Sequence, residues 1–507
     1  MRGIDKWFGD VHANREVSLA VRAGTIHGIV GENGSGKSTL MGILYGYYQP
    51  DRGEILVRGR PVAIRSPQQA LASGIGMVHQ HFMLVEPFTV LENVLLGREG
   101  GFRLAAGKAR ARAELIRLSR EYHLEVDPEA SVADLGVGQR QRVEILKALA
   151  RGADLLILDE PTAVLTPQEV EHLFRILRAL RGEGKTVLLI THKLREIREV
   201  TDVVTVMRQG RVVTTLPTAG TSPGQLAELM VGRAVSLRVG KSPARPHEPV
   251  LEVADLVVED GLGVERVKGV SFAVRRGEIV GVAGVAGNGQ SELLEAIAGT
   301  RPAKAGRIRW RARELVGDAA RSPRAMRRHG LAHVPEDRQR MGLIIPFAAR
   351  ESAILGYHEE PTYNGTIVLR HAAVAACFRR QVIEYDIRPP DGALPTSAFS
   401  GGNQQKIVLA RELDRHPDLL LVGQPTRGVD IGAIESIHHR LIALRDAGKG
   451  VLLVSVELDE ILALADRILV MHDGHIVGEV SPAAATEQTI GLMMAGAARE
   501  ALSESAG

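Results

Sequence analysis

The sequence predicts an α/β fold built twice in tandem, and three observations predict it. A short apolar run, Thr25-Ile-His-Gly-Ile-Val30, leads into the glycine-rich stretch Gly31-Glu-Asn-Gly-Ser-Gly-Lys37-Ser38-Thr39 and then into the helix-forming segment Thr39-Leu-Met-Gly-Ile-Leu44. A second apolar run, Leu155-Leu-Ile-Leu158, ends on two adjacent acids, Asp159 and Glu160. Both arrangements recur in the second half of the chain, the first displaced by 253 positions (Lys37 to Gln290) and the second by 264 (Glu160 to Gln424). Strands that end in a glycine loop or in acids belong to sheets that present ligand-binding groups at their carboxyl edge.

The first element is a GxxxxGK[ST] loop in the required order of strand, loop and helix start. Gly31, Gly34 and Gly36 let backbone N–H groups turn inward around phosphates, with Asn33, Ser35 and Thr39 completing the loop, and the helix N-terminus adds partial positive charge. Lys37 is placed to reach the β- and γ-phosphates of ATP and the Ser38 hydroxyl to ligate Mg²⁺. The loop by itself does not separate kinases, GTPases and transport ATPases. The two acids add a role each: Asp159 for the Mg²⁺ shell and Glu160 for polarising an attacking water. Shortly before them lies Leu135-Gly136-Val137-Gly138-Gln139, and beyond them Leu188-Leu-Ile190-Thr191-His192.

The repeat sets the domain organisation. Gly136 and Ser400, and His192 and Val456, share the 264 offset, so the second copy carries an 11-residue excess between its glycine loop and its later elements. The Pro- and charge-rich stretch Gly240-Lys-Ser-Pro-Ala-Arg-Pro-His-Glu-Pro249 reads as a linker. The expected layout is a first lobe over 1–238, a linker over 239–249, a second lobe over 250–496 and a frayed tail over 497–507. The strand-like Val250-Leu-Glu-Val253 has a counterpart that would precede Met1. The first sheet edge is therefore either shortened or encoded upstream of Met1; the latter is favoured, and the mass of the native protein decides it.

The second copy keeps the scaffold and loses the chemistry. Gly284-Val-Ala-Gly-Asn-Gly-Gln290-Ser291 retains its glycines but has glutamine for lysine. Leu419-Leu-Leu-Val-Gly423-Gln424 has lost both carboxylates, Val456 stands where His192 was, and Gly261 falls opposite Phe8. A lysine about 4 Å from a phosphate oxygen contributes roughly 4 kcal/mol at an effective dielectric near 20, most of which an amide forfeits. Loss of a general base costs about 10²–10⁴-fold in rate.

With these motifs in this order, the chain resembles ATP-binding cassette (ABC) ATPases over roughly residues 2 to 495. The resemblance implies two tandem P-loop NTPase domains, each with a RecA-like α/β core, an antiparallel β subdomain and an α-helical signature subdomain. It also implies Gln80 as the glutamine-loop ligand to Mg²⁺, His192 as the switch histidine, Phe8 as an adenine-stacking ring, and Glu336 at the second glutamine-loop position. Phe399-Ser400-Gly401-Gly402-Asn403 is a near-complete signature, whereas Gly136 and Val137 belong to one lacking its serine. In head-to-tail cassettes, one composite site would join Lys37, Asp159, Glu160, Gln80 and His192 to Ser400, Gly401 and Gly402. A degenerate site would join Gln290, Ser291, Glu336, Gly423, Gln424 and Val456 to Gly136 and Val137.

Met77-Val-His-Gln80-His-Phe-Met83, Val334-Pro-Glu-Asp-Arg338 and Gln424-Pro-Thr-Arg-Gly-Val-Asp430 are similar to those of tandem ATPases from importers of simple sugars and nucleosides, leaning toward the nucleoside branch. Such importers imply two transmembrane permease subunits, an extracellular solute-binding lipoprotein and a location on the cytoplasmic face of the membrane. Permease coupling helices would dock near Gln80 and Glu336. Phe82, Met83 and Phe88 belong either to that surface or to the core, and Glu336 reads equally as a solvated loop acid.

Composition agrees. The single cysteine, Cys377, excludes an intramolecular disulfide, no apolar run reaches about 18 residues, and the first 30 residues show no signal-peptide pattern. A net charge of +3 on 507 residues makes no case for nucleic acid. The alternative is a soluble tandem ABC ATPase such as a ribosome-acting translation factor. Those resemble this chain in their duplication but retain acids in both lobes and join them by a long charged helix. A DNA-repair ABC protein would carry paired CxxC zinc elements, which one cysteine cannot supply.

Overall fold

Strands buried along their whole length need helices on both faces of their sheet, and each half of the chain builds one central sheet around such strands. In the first half the central sheet holds β3 (Ile26–Gly31), β6 (Ile75–Val78), β7 (Leu155–Asp159), β8 (Thr186–Ile190), β9 (Val203–Arg208) and, at the edge, the half-exposed β10 (Arg211–Pro217), in the spatial order β10-β9-β3-β8-β7-β6. All pairs are parallel except β9–β10 at the edge. Every residue of β3 and β8 is buried.

A second, antiparallel sheet consists of β1 (Arg2–Phe8), β2 (Val11–Val17), β4 (Arg52–Val57) and β5 (Arg60–Val62), ordered β2-β1-β4-β5. Between β6 and β7 the chain forms helices Val90–Leu95, Leu104–Glu121 and Val137–Ala150. Leu91, Leu115, Leu118, Val143 and Leu146 pack together there with the sheet residues Leu156 and Leu158.

The second half repeats the plan. Its antiparallel sheet holds β11 (Pro249–Glu259), β12 (Glu265–Arg275), β14 (Ala305–Trp310) and β15 (Arg313–Glu314), ordered β12-β11-β14-β15. Its central sheet holds β13 (Ile279–Ala283), β16 (Leu331–Val334), β17 (Leu419–Gly423), β18 (Gly450–Ser455), β19 (Arg467–His472) and β20 (His475–Val480), ordered β16-β17-β18-β13-β19-β20. Helices His371–Tyr385 and Gly401–Leu413 form its helical region, where Phe378, Ile407 and Val408 share one core. The α/β class, the antiparallel subdomains and the helical insertions are as the sequence predicts.

The chain divides into two units, Met1–Val235 and Ser236–Gly507. The computed structural model describes Met1 to Gly496 apart from residues 80–81, 98–103, 163–164, 192, 235–239, 286, 316–321, 366–367, 430 and 495. Gln80 and His192 therefore lie outside the described residues. The Pro-rich stretch 240–249 is fastened to the second unit: Lys241 Nζ donates to Leu464 O at 3.0 Å and to Asp466 Oδ1 at 3.0 Å, Arg445 Nη2 donates to Ser242 O at 2.9 Å, and β11 begins at Pro249. No described helix is long and apolar enough to cross a membrane.

Candidate functional site

Register brings the candidate residues of the first unit to one edge. Ile29 of β3 and Asp159 of β7 both lie opposite Ile190 of β8, so the glycine loop after β3, the two acids and Thr191 leave the sheet side by side. The loop closes on itself, with Ser35 N–H donating to Glu32 O at 3.1 Å, and enters helix Lys37–Tyr45 through Gly36 at φ 93°. A side chain at Gly36 would be strained at that φ and would also meet Ala13 O at 2.5 Å. This helix has no side-chain cap, unlike helix Pro167–Gly182, which Thr166 caps. Among the described residues no side chain caps its first-turn N–H groups, which suits an anion.

Lys37 is buried, and its ammonium donates to Gly31 O at 2.7 Å and Glu32 O at 2.9 Å. Burial lowers its pKa, opposed by Glu160, Asp159 and Glu32. Asn33, Gly34 and Ser38 are exposed, Thr39 is half-buried and Ser35 is buried with an unpartnered hydroxyl. Asp159 lies beside Ser38, which favours its charged form. Burial first, then Glu160, raises its pKa to about 6 against the pull of Lys37 and Ser38. Glu160 sits at φ 46°, a left-handed conformation that a non-glycine residue occupies at a cost of about 1–3 kcal/mol. Its N–H donates to Ile190 O at 2.9 Å, which holds the turn. An uncapped helix start, a buried lysine, an exposed serine hydroxyl and a neighbouring carboxylate together fit a nucleotide with a divalent cation. Phe8 ends β1 with its ring exposed and Tyr48 edge-on at 5.1 Å.

The second unit shows the same frame with different groups. Its loop enters helix Gln290–Ala298 through Gly289 at φ 98°, again without a side-chain cap. Gln290 is buried and its amide donates to Val285 O at 3.2 Å, taking up the carbonyl that matches Glu32. Gln424 keeps the left-handed turn at φ 50° and the N–H bond to Val454 O at 2.8 Å, and its side chain accepts from the Val456 N–H at 3.4 Å. Gly423 ends β17. Glu336 is half-buried and accepts the Ser291 hydroxyl, so it is not a solvated loop acid. Burial raises its pKa, with Ser291 and Arg427 opposing.

The signatures open helices. Ser400 caps helix Gly401–Leu413, its hydroxyl accepting from the Asn403 backbone N–H at 3.5 Å and also from Asn403 Nδ2 at 2.9 Å, with Gly401 and Gly402 in the first turn. Gly136 opens helix Val137–Ala150 with its N–H on Gln139 Oε1 at 3.1 Å, and Val137 is exposed. Of the open alternatives, Met83 is 60% and Phe88 38% exposed, which removes both from the core.

One residue escapes sequence reading. Glu196 is buried and accepts both Thr162 Oγ1 and, at 2.9 Å, Thr191 Oγ1, tying the turn after Glu160 to the end of β8. The 264 offset pairs it with Glu460, another buried acid, and that pairing was the available signal.

Residues 14–163 and 267–427 match the ABC transporter family. The chain is 48% identical over 496 residues to the nucleoside import ATP-binding protein NupA of Lactococcus lactis subsp. cremoris (strain MG1363), covering 98% of this chain and 97% of that one. It is 48% identical over 500 residues to the guanosine import ATP-binding protein NupO of Bacillus subtilis (strain 168), covering 99% and 98%. Among solved structures, the archaeal ribosome recycling factor in complex with a ribosomal stalk protein matches with a TM-score of 0.60 at 20% identity, over 92% of this chain and 87% of that one, a likeness of fold alone.

Proposed function

The chain belongs to the ABC transporter family of ATP-binding proteins, and from that membership we propose that it is the ATP-hydrolysing, energy-coupling subunit of an importer for nucleosides. The observation that carries the reading is the asymmetry between two frames of matching sheet order and turn conformation. The first has Lys37 on the loop carbonyls, Ser38 beside Asp159 and Glu160 on a held turn. The second has Gln290, Gly423 and Gln424 in their places.

In this reading Lys37 and the loop N–H groups bind the phosphates, Ser38, Asp159 and Gln80 hold Mg²⁺, Glu160 orients the water and His192 contacts the γ-phosphate. Phe8 stacks on adenine, and Ser400, Gly401 and Gly402 complete the competent site across the two lobes. The domain limits 1–238 and 250–496 follow from the same repeat. Mg²⁺ adds charge neutralisation on the β- and γ-phosphates when bound.

The partners are two permease subunits at the cytoplasmic face of the membrane, fed by an extracellular solute-binding protein. Support comes from matched apolar exposure. Phe88 and Phe347, 38% and 48% exposed, each directly precede the first residue of a helix cap, Thr89 and Ala348. Such residues suit short permease helices. Nucleosides are favoured over sugars because two near-full-length relatives bear nucleoside and guanosine import names. Uptake of labelled purine nucleosides, ribose and galactose in cells with and without the gene tests this. Selective loss of nucleoside uptake is expected; selective loss of sugar uptake replaces the cargo, and loss of neither removes the transport reading.

A further inference from the structure

The second lobe is longer than the first just before its helical region. Gln80 and Glu336 stand 256 positions apart and Phe88 and Phe347 stand 259 apart, so three extra residues enter between Glu336 and Phe347. The turn Arg338–Gly342 forms there, opened by Asp337, whose Oδ1 accepts from the Gln339 and Arg340 N–H groups at 3.0 and 3.1 Å. It is fastened along the signature helix Gly401–Leu413: Gln339 Nε2 donates to Gln404 Oε1 at 3.0 Å, and Arg411 Nη1 donates to Gly342 O at 2.7 Å. The Arg338 guanidinium, at the near end of the turn, lies against the first residue of that helix. A Cβ at Gly401 would fall on Arg338 Nη2, and one at Gly428 would lie 3.2 Å from it. The guanidinium fills the room that two glycines leave. In the sequence of the first lobe the positions matching 401 and 428 are Val137 and Val164, and the one matching 338, counted from Glu336, is Phe82.

Arg338 is a cation placed without an acid. Its Nη1 donates to a carbonyl, Arg427 O, at 2.8 Å, its Nε is buried without a partner, and it forms no ion pair among the described residues. Burial and the neighbouring charge of Arg427 both disfavour its charged form, with Asp337 opposing. A half-buried guanidinium beside a second arginine, with Nη2 carrying no bond among the described residues, is arranged for an anion. We propose that Arg338 contacts the terminal phosphate of the nucleotide engaged by Ser400, Gly401 and Gly402 and stabilises the charge that builds there during hydrolysis. The proposal rests on the reading of that signature as part of the hydrolysing site, and adds a cation that the signature itself does not contain. In the step a water oxygen bonds the γ-phosphorus as the bridging oxygen leaves with ADP. One water proton stays on the phosphate, one is released to solvent, and Arg338 neither gives nor takes a proton. A charge that acts on the transition state more than on bound ATP raises kcat with little effect on KM.

The test measures steady-state phosphate release from Mg–ATP by the full chain as wild type, Arg338→Met, Arg338→Lys and Arg340→Met. Met removes the charge at similar length, Lys keeps it as a point charge, and Arg340 is an exposed arginine of the same turn that controls for overall charge. The expected result is a fall in kcat of about 10²-fold in Arg338→Met with KM changed less than about threefold, a fall of about three- to tenfold in Arg338→Lys, and no change in Arg340→Met. Wild-type kcat in Arg338→Met, equal losses in the Met and Lys variants, a loss carried by KM alone, or a matching loss in Arg340→Met overturns the phosphate contact and leaves the signature's part in hydrolysis standing. If melting curves show Arg338→Met unfolded, Arg338→Lys decides alone. Its affinity for Mg–ADP with aluminium fluoride, a mimic of the phosphoryl group in transfer, should fall at least about threefold more than its affinity for ATP, and an equal fall overturns the contact. No phosphate release by the wild type removes the hydrolysis reading itself.

Discussion

At the residue scale, the two copies of one turn separate geometry from chemistry. Glu160 and Gln424 sit at φ 46° and 50° with matching N–H bonds to Ile190 and Val454. The second lobe thus already shows a glutamine held in this conformation, and Glu160→Gln changes the acid without changing the fold. Hydrolysis by the full chain is expected to fall by about 10²–10⁴-fold with ATP binding retained, whereas Gln424→Asn changes it by less than about twofold. Steady-state phosphate release and equilibrium ATP binding on the same preparations check both; half the activity surviving in Glu160→Gln would move the chemistry elsewhere.

At the element scale, β3 carries a polar side chain through a fully buried strand. His27 is 2% exposed, and its Nε2 lies 2.7 Å from Thr205 Oγ1. Burial depresses its pKa from 6.5 to about 4. The folded first lobe therefore holds His27 neutral while the unfolded chain protonates it. Its contribution is fully present above pH 6.5 and is lost as pH falls toward 4, amounting to about 2 kcal/mol at pH 5. Melts at pH 7.5 and 5.0 should show a larger acid loss in the wild type than in His27→Gln; equal losses would place the acid sensitivity in other groups. The elements themselves were readable because their signals are local. An apolar run, a glycine loop and a helix start lie within 20 consecutive residues from Thr25 to Leu44. The close packing of Glu336 against Gly423 was not readable in that way: the two are far apart in sequence and meet only through the β16–β17 pairing. As a result, the sequence places Glu336 at the glutamine-loop position or as a solvated acid, and in neither case beside Gly423. Glu196 was hidden for the same reason, since its partners Thr162 and Thr191 come from different elements.

At the scale of the whole molecule, the losses follow a pattern that no single lobe explains. The first lobe keeps Lys37, Asp159 and Glu160 but has Gly136 and Val137 where its signature should carry a serine and a glycine; the second keeps Ser400, Gly401 and Gly402 but has Gln290, Gly423 and Gln424. If each lobe served its own nucleotide, both sites would be defective. If, as proposed, each nucleotide uses the loop of one lobe and the signature of the other, one site is complete and one doubly degraded. Paired substitutions decide between these. Gly401 and Val137 each occupy the first turn of a signature helix, where an added acid favours the helix by about 0.3–1 kcal/mol. A Cβ at Gly401 would lie 2.3 Å from Arg338 Nη2, the far end of a flexible side chain that has to shift, so melting curves are needed to verify that neither Gly401→Asp nor Val137→Asp unfolds its lobe. An acid at the first residue would repel the γ-phosphate of any nucleotide bound against it. Gly401→Asp is expected to lower hydrolysis by about 10²-fold or more, as removal of a transition-state contact does, while Val137→Asp leaves it within about twofold. The opposite ranking would mean that the intact loop works with the signature of its own lobe, and the cross-lobe assignment of Ser400, Gly401 and Gly402 would fall.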